Sequence, residues 1–257
     1  MPRAAMAGNI AGPAPSCPVP REGALRRSLR GGAAAATAGM TTEFALKTVA
    51  PACGVLIANL MFLAPMQQVL KARKEGTLGD VNMGNCGAWL TYALAIGNPW
   101  VIAPNVSGLL FGLFYTITGL QLGSEEKKSQ LRKSLAVYSA VVFGAIALGL
   151  SGATKSVMSA PNLYGWVGNA LLMVYYITPL ASLANIIKKK NASTIDPRLA
   201  TKNASTIDPR LAFAGVLNGL FWFAYGVAIW DGYVAIPNGI GALIATFSST
   251  LWLAFRK

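Results

Sequence analysis

Six stretches of the chain contain no Lys, Arg, Asp or Glu: residues 48–70, 81–122, 134–154, 156–187, 211–230 and 232–255. A membrane-spanning helix needs about 20 predominantly apolar residues, so five of these stretches hold one span each. The second is twice as long and contains Gly97-Asn98-Pro99. Proline and the residue before it disfavour continuous helix, so this stretch divides into two spans. The pattern predicts seven spans, with the first at about 48–70, the fourth at about 134–152 and the fifth at about 162–187.

Composition agrees. The chain is 54% hydrophobic and 12% charged, against about 25% charged in soluble domains. The net charge of +13 would suggest nucleic acid in a soluble protein, but its placement explains it otherwise. Lys71, Arg73, Lys74, then Lys127, Lys128, Arg132, Lys133, then Lys188 to Lys190, Arg198, Lys202, Arg210, and Arg256, Lys257 all fall on one side of a seven-span chain. The opposite loops carry only Lys155. The positive-inside rule makes the basic side, with the C-terminus, cytosolic.

There is no His, and Cys17, Cys53 and Cys86 are dispersed. Metal-ligand spacing, a disulfide framework and the commonest general base are absent, so no metal, cofactor or catalytic residue is expected.

One unit is written twice. Pro104-Asn105 and Pro237-Asn238 each set an amide into an apolar run. Trp89 and Tyr92 precede the first as Trp222 and Tyr225 precede the second, 133 residues on. Pro65, before a basic cluster, is matched by Pro179, 114 residues on. Part of the difference is a decapeptide, residues 191–200, which recurs verbatim at 203–212 with a period of 12; seven further residues are missing between Pro65 and Trp89. Each half is therefore three spans, with the fourth span between them. Four crossings, an even number, precede the second unit, so the two repeats are parallel.

Asn-Cys-Gly-Ala-Trp-Leu-Thr-Tyr at 85–92, Asn-Gly-Leu-Phe-Trp-Phe-Ala-Tyr-Gly at 218–226 and the Pro-Asn-Gly-Ile-Gly run resemble the SWEET (MtN3/saliva) sugar transporters over about residues 44–257. This family is also a standard example of parallel repeats. The resemblance implies an all-α membrane fold of seven helices in a 3+1+3 arrangement, two three-helix bundles joined by a linker helix. It also implies that Asn105 and Asn238 bind sugar hydroxyls while Trp89 and Trp222 pack on the sugar face. An amide offers both donors and an acceptor, which suits a neutral polyol.

The resemblance assigns size selectivity to Met61, Asn85, Tyr175 and Asn218. All four are bulky where the disaccharide-accepting pattern is small, so a monosaccharide such as glucose is expected over sucrose. Tyr92 and Asp231 match the outer gate. Pro65, Pro179 and Pro209 match three of the family's four hinge prolines; Pro209 lies one residue early, and the fourth, in the second span, is absent. No acid or base lies inside a span, whereas proton-driven carriers keep such groups, so passive bidirectional uniport is expected.

Residues 1–46 are rich in Ala, Gly and Pro with Arg3, Arg21, Arg26, Arg27 and Arg30, the composition of a disordered leader or a transit peptide. Either it is removed or translation starts at Met40. The division is thus 1–46 leader, 47–122 first repeat, 123–155 loop and linker helix, and 156–257 second repeat with the duplicated twelve-residue segment in its cytosolic loop. The plasma membrane is the expected location, or a plastid or other organelle membrane if the leader is an address. The expected partners are a mono- or disaccharide, the lipid bilayer and a homo-oligomer, with no nucleic acid. The alternatives are a PQ-loop-type carrier of another small solute, and a non-transporting seven-span receptor or scaffold.

Overall fold

The computed structural model describes residue 39 and residues 41–75, 85–189 and 209–255, and every element among them is helical. The leader through residue 38, residues 76–84 and most of the duplicated segment, up to residue 208, lie outside the described residues.

Proline shapes the first rod twice. Pro51 has no N–H, and its ring would strike the carbonyl of Lys47. Just before it the backbone widens into a π turn at Ala45–Val49, where the Ala50 N–H reaches back to the Ala45 carbonyl. α1 then runs Ala50–Leu63. Pro65 interrupts it: the Met61 carbonyl, whose helical donor Pro65 lacks, is taken by the Ala64 N–H at 3.3 Å. After this turn α2 runs Met66–Glu75.

α3, Cys86–Ile96, has 11 residues, about 16 Å at 1.5 Å per residue. That is about half of a hydrocarbon core. It stops at Gly97, whose φ of 64° is left-handed; the Gly97 and Asn98 N–H groups close on the Leu94 and Ala93 carbonyls at 3.2 and 3.0 Å, a Schellman stop. Asn98 at once starts α4, Pro99–Leu122, its side-chain oxygen accepting from the N–H of Trp100 and Val101 at 3.1 and 3.4 Å. Pro99 sits in the first turn, where its missing N–H costs nothing. The predicted break between the second and third spans is this stop and cap in succession.

α5, Glu125–Ser151, begins well before the expected residue 134. Ser124 caps it, accepting from the Lys127 N–H at 3.4 Å. Glu125 and Glu126 occupy the first turn, where negative charge suits the helix dipole. Lys128 and Arg132 pair with Glu125 at 2.9 and 3.5 Å. The charged stretch expected as a loop is thus the exposed start of α5. α6 (Ala160–Lys189), α7 (Pro209–Ala228) and α8 (Gly232–Phe255) complete the chain.

Among the described residues, the helices within Thr41–Lys74, Pro99–Leu122, Glu125–Ser151 and Arg210–Ala228 are each long and apolar enough to cross a membrane. Their outer faces carry large apolar side chains, among them Leu60, Leu110 and Phe143, all exposed. Such faces are stable against lipid, where the backbone is satisfied within the helix.

Six helices pack in a closed ring: α1 on α7, α7 on α8, α8 on α6, α6 on α3, α3 on α4, and α4 back on α1. α5 lies outside it, against α6, α4 and α3. The pattern has a two-fold character, since α4 joins α1 and α3 as α8 joins α6 and α7. The α7–α8 contact is close because Gly219 has no side chain; a Cβ there would stand 2.8 Å from the Asn238 carbonyl. One end of the ring is filled by a core of Trp89, Tyr92, Val101, Trp222, Tyr225 and Val234.

Candidate functional site

Below that core the ring encloses a cavity of about 550 Å³. It extends from the level of Trp89 and Trp222 towards the end that carries Pro65, Tyr115 and Ser248. All six ring helices line it, and among the described residues no Lys, Arg, Asp or Glu is in the lining. Asn105, Asn238, Trp89 and Trp222 are all in its wall, with Met61, Asn85, Tyr175 and Asn218. The eight residues singled out for binding and selectivity therefore come together.

Asn105 and Asn238 follow the prolines inside α4 and α8. Each turns its Nδ2 back on its own helix, donating to the carbonyl four residues earlier, Val101 or Val234, at 2.8 Å. One amide hydrogen and the carbonyl oxygen of each remain for whatever occupies the cavity.

Asn85 donates its Nδ2 to the Gly168 carbonyl at 2.9 Å, tying α3 to α6. The Oδ1 atoms of Asn85 and Asn218 are buried and accept no hydrogen bond. A buried acceptor left without a donor costs about 1–3 kcal/mol. Two at matching places in one wall fit a ligand that brings hydroxyl donors.

The indoles are held alike. Trp89 stands edge-on to Tyr92 with centroids 6.0 Å apart, and Trp222 to Tyr225 at 5.9 Å. Trp89 packs towards Gly168 and Trp222 on Gly54, where a Cβ would meet the indole Nε1 at 2.8 Å. Each indole thus crosses from one half of the chain to the other.

The far end of the ring is bolted. The Tyr92 hydroxyl donates to Asp231 Oδ2 at 2.8 Å. The Tyr225 hydroxyl donates to Asn98 Oδ1 at 3.0 Å. Asp231 also caps α8, accepting from the Val234 N–H at 3.1 Å, as Asn98 caps α4. The second bolt was missed in the sequence, although Asn98 and Asp231 share the 133-residue spacing that relates Tyr92 to Tyr225. Of the hinge candidates, Pro65 makes the turn between α1 and α2 and lines the cavity, Pro179 lies within α6, and Pro209 is the first described residue of α7.

Comparison with known proteins finds a family and several relatives to which the chain is similar. Residues 162–257 match the family MtN3_slv, described as "Sugar efflux transporter for intercellular exchange". The chain is 19% identical over 214 residues to "Sugar transporter SWEET1" of Dictyostelium discoideum, covering 80% of this chain and 92% of that protein. It is 25% identical over 225 residues to "Bidirectional sugar transporter SWEET7" of Arabidopsis thaliana, covering 82% and 81%. "Bidirectional sugar transporter SWEET15" of Oryza sativa subsp. indica is 25% identical over 212 residues, 79% of this chain and 62% of that protein. A solved eukaryotic SWEET transporter shares the fold, with a TM-score of 0.65, 19% identity and coverage of 84% of this chain and 98% of that one. The family that these comparisons point to, SWEET (MtN3/saliva), is one of transporters and not of enzymes, and it is the family that this chain is similar to.

Proposed function

We propose that this chain is a facilitative, bidirectional uniporter of a neutral sugar, a monosaccharide such as glucose in preference to a disaccharide, working by alternating access. The observation that carries the reading is the uncharged cavity walled by two matched amides and two matched indoles. Relatives named as sugar transporters support the substrate class.

In this reading Asn105 and Asn238 take the sugar hydroxyls, and Trp89 and Trp222 flank the ring, since an indole offers an apolar face to the C–H side of a pyranose. Met61, Tyr175, Asn85 and Asn218 limit the length of the occupant. Asn85 and Asn218 also offer their unpartnered oxygens. The cavity extends towards the end where α2 finishes and α5 starts, which bears Lys71, Arg73, Lys74 and Lys127. By the positive-inside rule that end is cytosolic. The conformation is then inward-facing, with Tyr92–Asp231 and Tyr225–Asn98 closing the outside and Pro65 and Pro179 available as hinges. Seven crossings put the C-terminus in the cytosol. The repeated pattern of helix contacts supports two parallel three-helix units around the linker α5.

Among the described residues no Lys, Arg, Asp or Glu lines the cavity, and the chain has no His, so the groups that usually couple a proton to transport are missing from its wall. Counterflow of labelled glucose and of labelled sucrose into proteoliposomes tests the reading. Glucose exchange that exceeds sucrose exchange and ignores an imposed pH gradient is expected. Sucrose exchange as fast as glucose, or exchange driven by the gradient, would refute it.

A further inference from the structure

Pro237 has no N–H to donate to the carbonyl of Tyr233, so α8 reaches its sugar-side amide with one backbone acceptor stranded. The stranded group is not left empty. Asn169, on α6, donates its Nδ2 to the Tyr233 carbonyl at 3.3 Å and to its own helix, at the Gly165 carbonyl, at 2.9 Å. Two turns further along α6 the Tyr176 hydroxyl donates to the Pro237 carbonyl at 3.3 Å. The two contacts bracket the bend immediately before Asn238.

The first half has the same bend and lacks both donors. Pro104 precedes Asn105 as Pro237 precedes Asn238, but the positions 114 residues before Asn169 and Tyr176 are Val55 and Phe62. Neither side chain can donate a hydrogen bond. Among the described residues no side chain of another helix donates to the carbonyl that Pro104 strands, that of Trp100.

We infer that Asn169 is a positioning residue: it occupies the backbone acceptor stranded by Pro237, locks the bend of α8 to α6 and so fixes where Asn238 presents its amide, while Asn105 stands on an unpinned bend. Asn169 does not line the cavity and acts on the occupant only through α8. The two amides are then unequal. Asn238 belongs to a fixed wall and Asn105 to the wall that shifts between the two open states.

This rests on the sugar-site reading above, and the test separates the two. Pro237→Ala restores the missing N–H and makes the Asn169 donor redundant. Asn169→Leu is read alone and combined with Pro237→Ala, in purified protein, by thermal unfolding without sugar and by the half-saturating concentration for glucose counterflow. Asn169→Leu is expected to raise that concentration about threefold to tenfold when Pro237 is present, the worth of one hydrogen bond, and less than twofold beside Pro237→Ala. The loss of melting temperature should shrink in the same way. Equal effects in both backgrounds would overturn the inference. If Asn169→Leu does not reach the membrane, Asn169→Ser, whose hydroxyl is too short to cross to α8, is read in the same cycle. A melting-temperature cycle that couples while glucose exchange is absent in every protein, the unsubstituted one included, would keep the pin, refute the sugar reading and with it the positioning role.

Discussion

Tyr92 and Asp231 are 139 residues apart in the chain and meet at 2.8 Å across the closed end of the helix ring. Their pseudo-symmetric counterparts, Tyr225 and Asn98, meet at 3.0 Å beside them. The bolts differ in charge: one phenol donates to a carboxylate, the other to an amide. Hydrogen bonds to charged groups contribute about 1.5–3 kcal/mol and neutral ones about 0.5–1.5.

If these bolts form the proposed outer gate, the two should respond unequally to substitution. Tyr92→Phe is expected to raise the outward-open population about tenfold or more, and Tyr225→Phe about twofold to tenfold. Asp231→Asn should change the rate of glucose exchange more than its half-saturating concentration. Distance distributions between spin labels on the α3–α4 and α7–α8 turns read the populations directly. Equal responses would mean that the charge of Asp231 does not strengthen the gate.

The indoles make a second asymmetric prediction. A Cβ on Gly54 would stand 2.8 Å from the Trp222 Nε1, whereas one on Gly168 would meet Trp89 at 3.8 Å, an ordinary contact. Gly54→Ala should displace Trp222 and reduce glucose exchange at least about tenfold, as misplacement of a binding group does. Gly168→Ala should stay within about twofold, below 0.5 kcal/mol. Parallel counterflow on the two variants checks this.

Much of this arrangement was written in the chain. The spacing from Trp89 to Asn105, repeated from Trp222 to Asn238, identified four of the cavity-lining residues, because a helix pair with one geometry brings the same positions together twice. The absence of charge from the spans predicted an uncharged cavity. What local pattern cannot carry is contact across the ring. Asn169 reads as one more polar residue in an apolar helix until the Tyr233 carbonyl stands opposite it. Tyr138 likewise shows its part only in three dimensions. It lies on α5, and its phenol oxygen accepts the Ala88 N–H at 3.0 Å, a donor in the opening turn of the short α3 that has no helical partner. The early start of α5 was legible in principle, from Ser124 followed by two glutamates, but the charges there suggested a loop.

The turns after α3 and α7 predict opposite stability effects. Both are Schellman stops: Gly97 and Asn98 close on Leu94 and Ala93 as Trp230 and Asp231 close on Val227 and Gly226. Gly97 has φ 64° and Trp230 has φ 56°, a conformation that costs a side-chain-bearing residue about 1–2 kcal/mol. Gly97→Ala should lower stability by about 1 kcal/mol. Trp230, 95% exposed, has no packing to lose on the protein, and Trp230→Gly should raise the melting temperature. Thermal unfolding of both variants in one detergent checks the signs.

The central claim is that two amides facing one uncharged cavity hold an uncharged sugar. Glucose counterflow with purified, reconstituted protein, comparing the unsubstituted chain with Asn105→Ala and Asn238→Ala, addresses it most directly. Each substitution is predicted to weaken glucose exchange at least about tenfold, since a polar site that loses a hydrogen-bonding group forfeits about 1.4 kcal/mol or more, while the folded protein is recovered in normal yield. Exchange that persists unchanged in both variants would contradict the account.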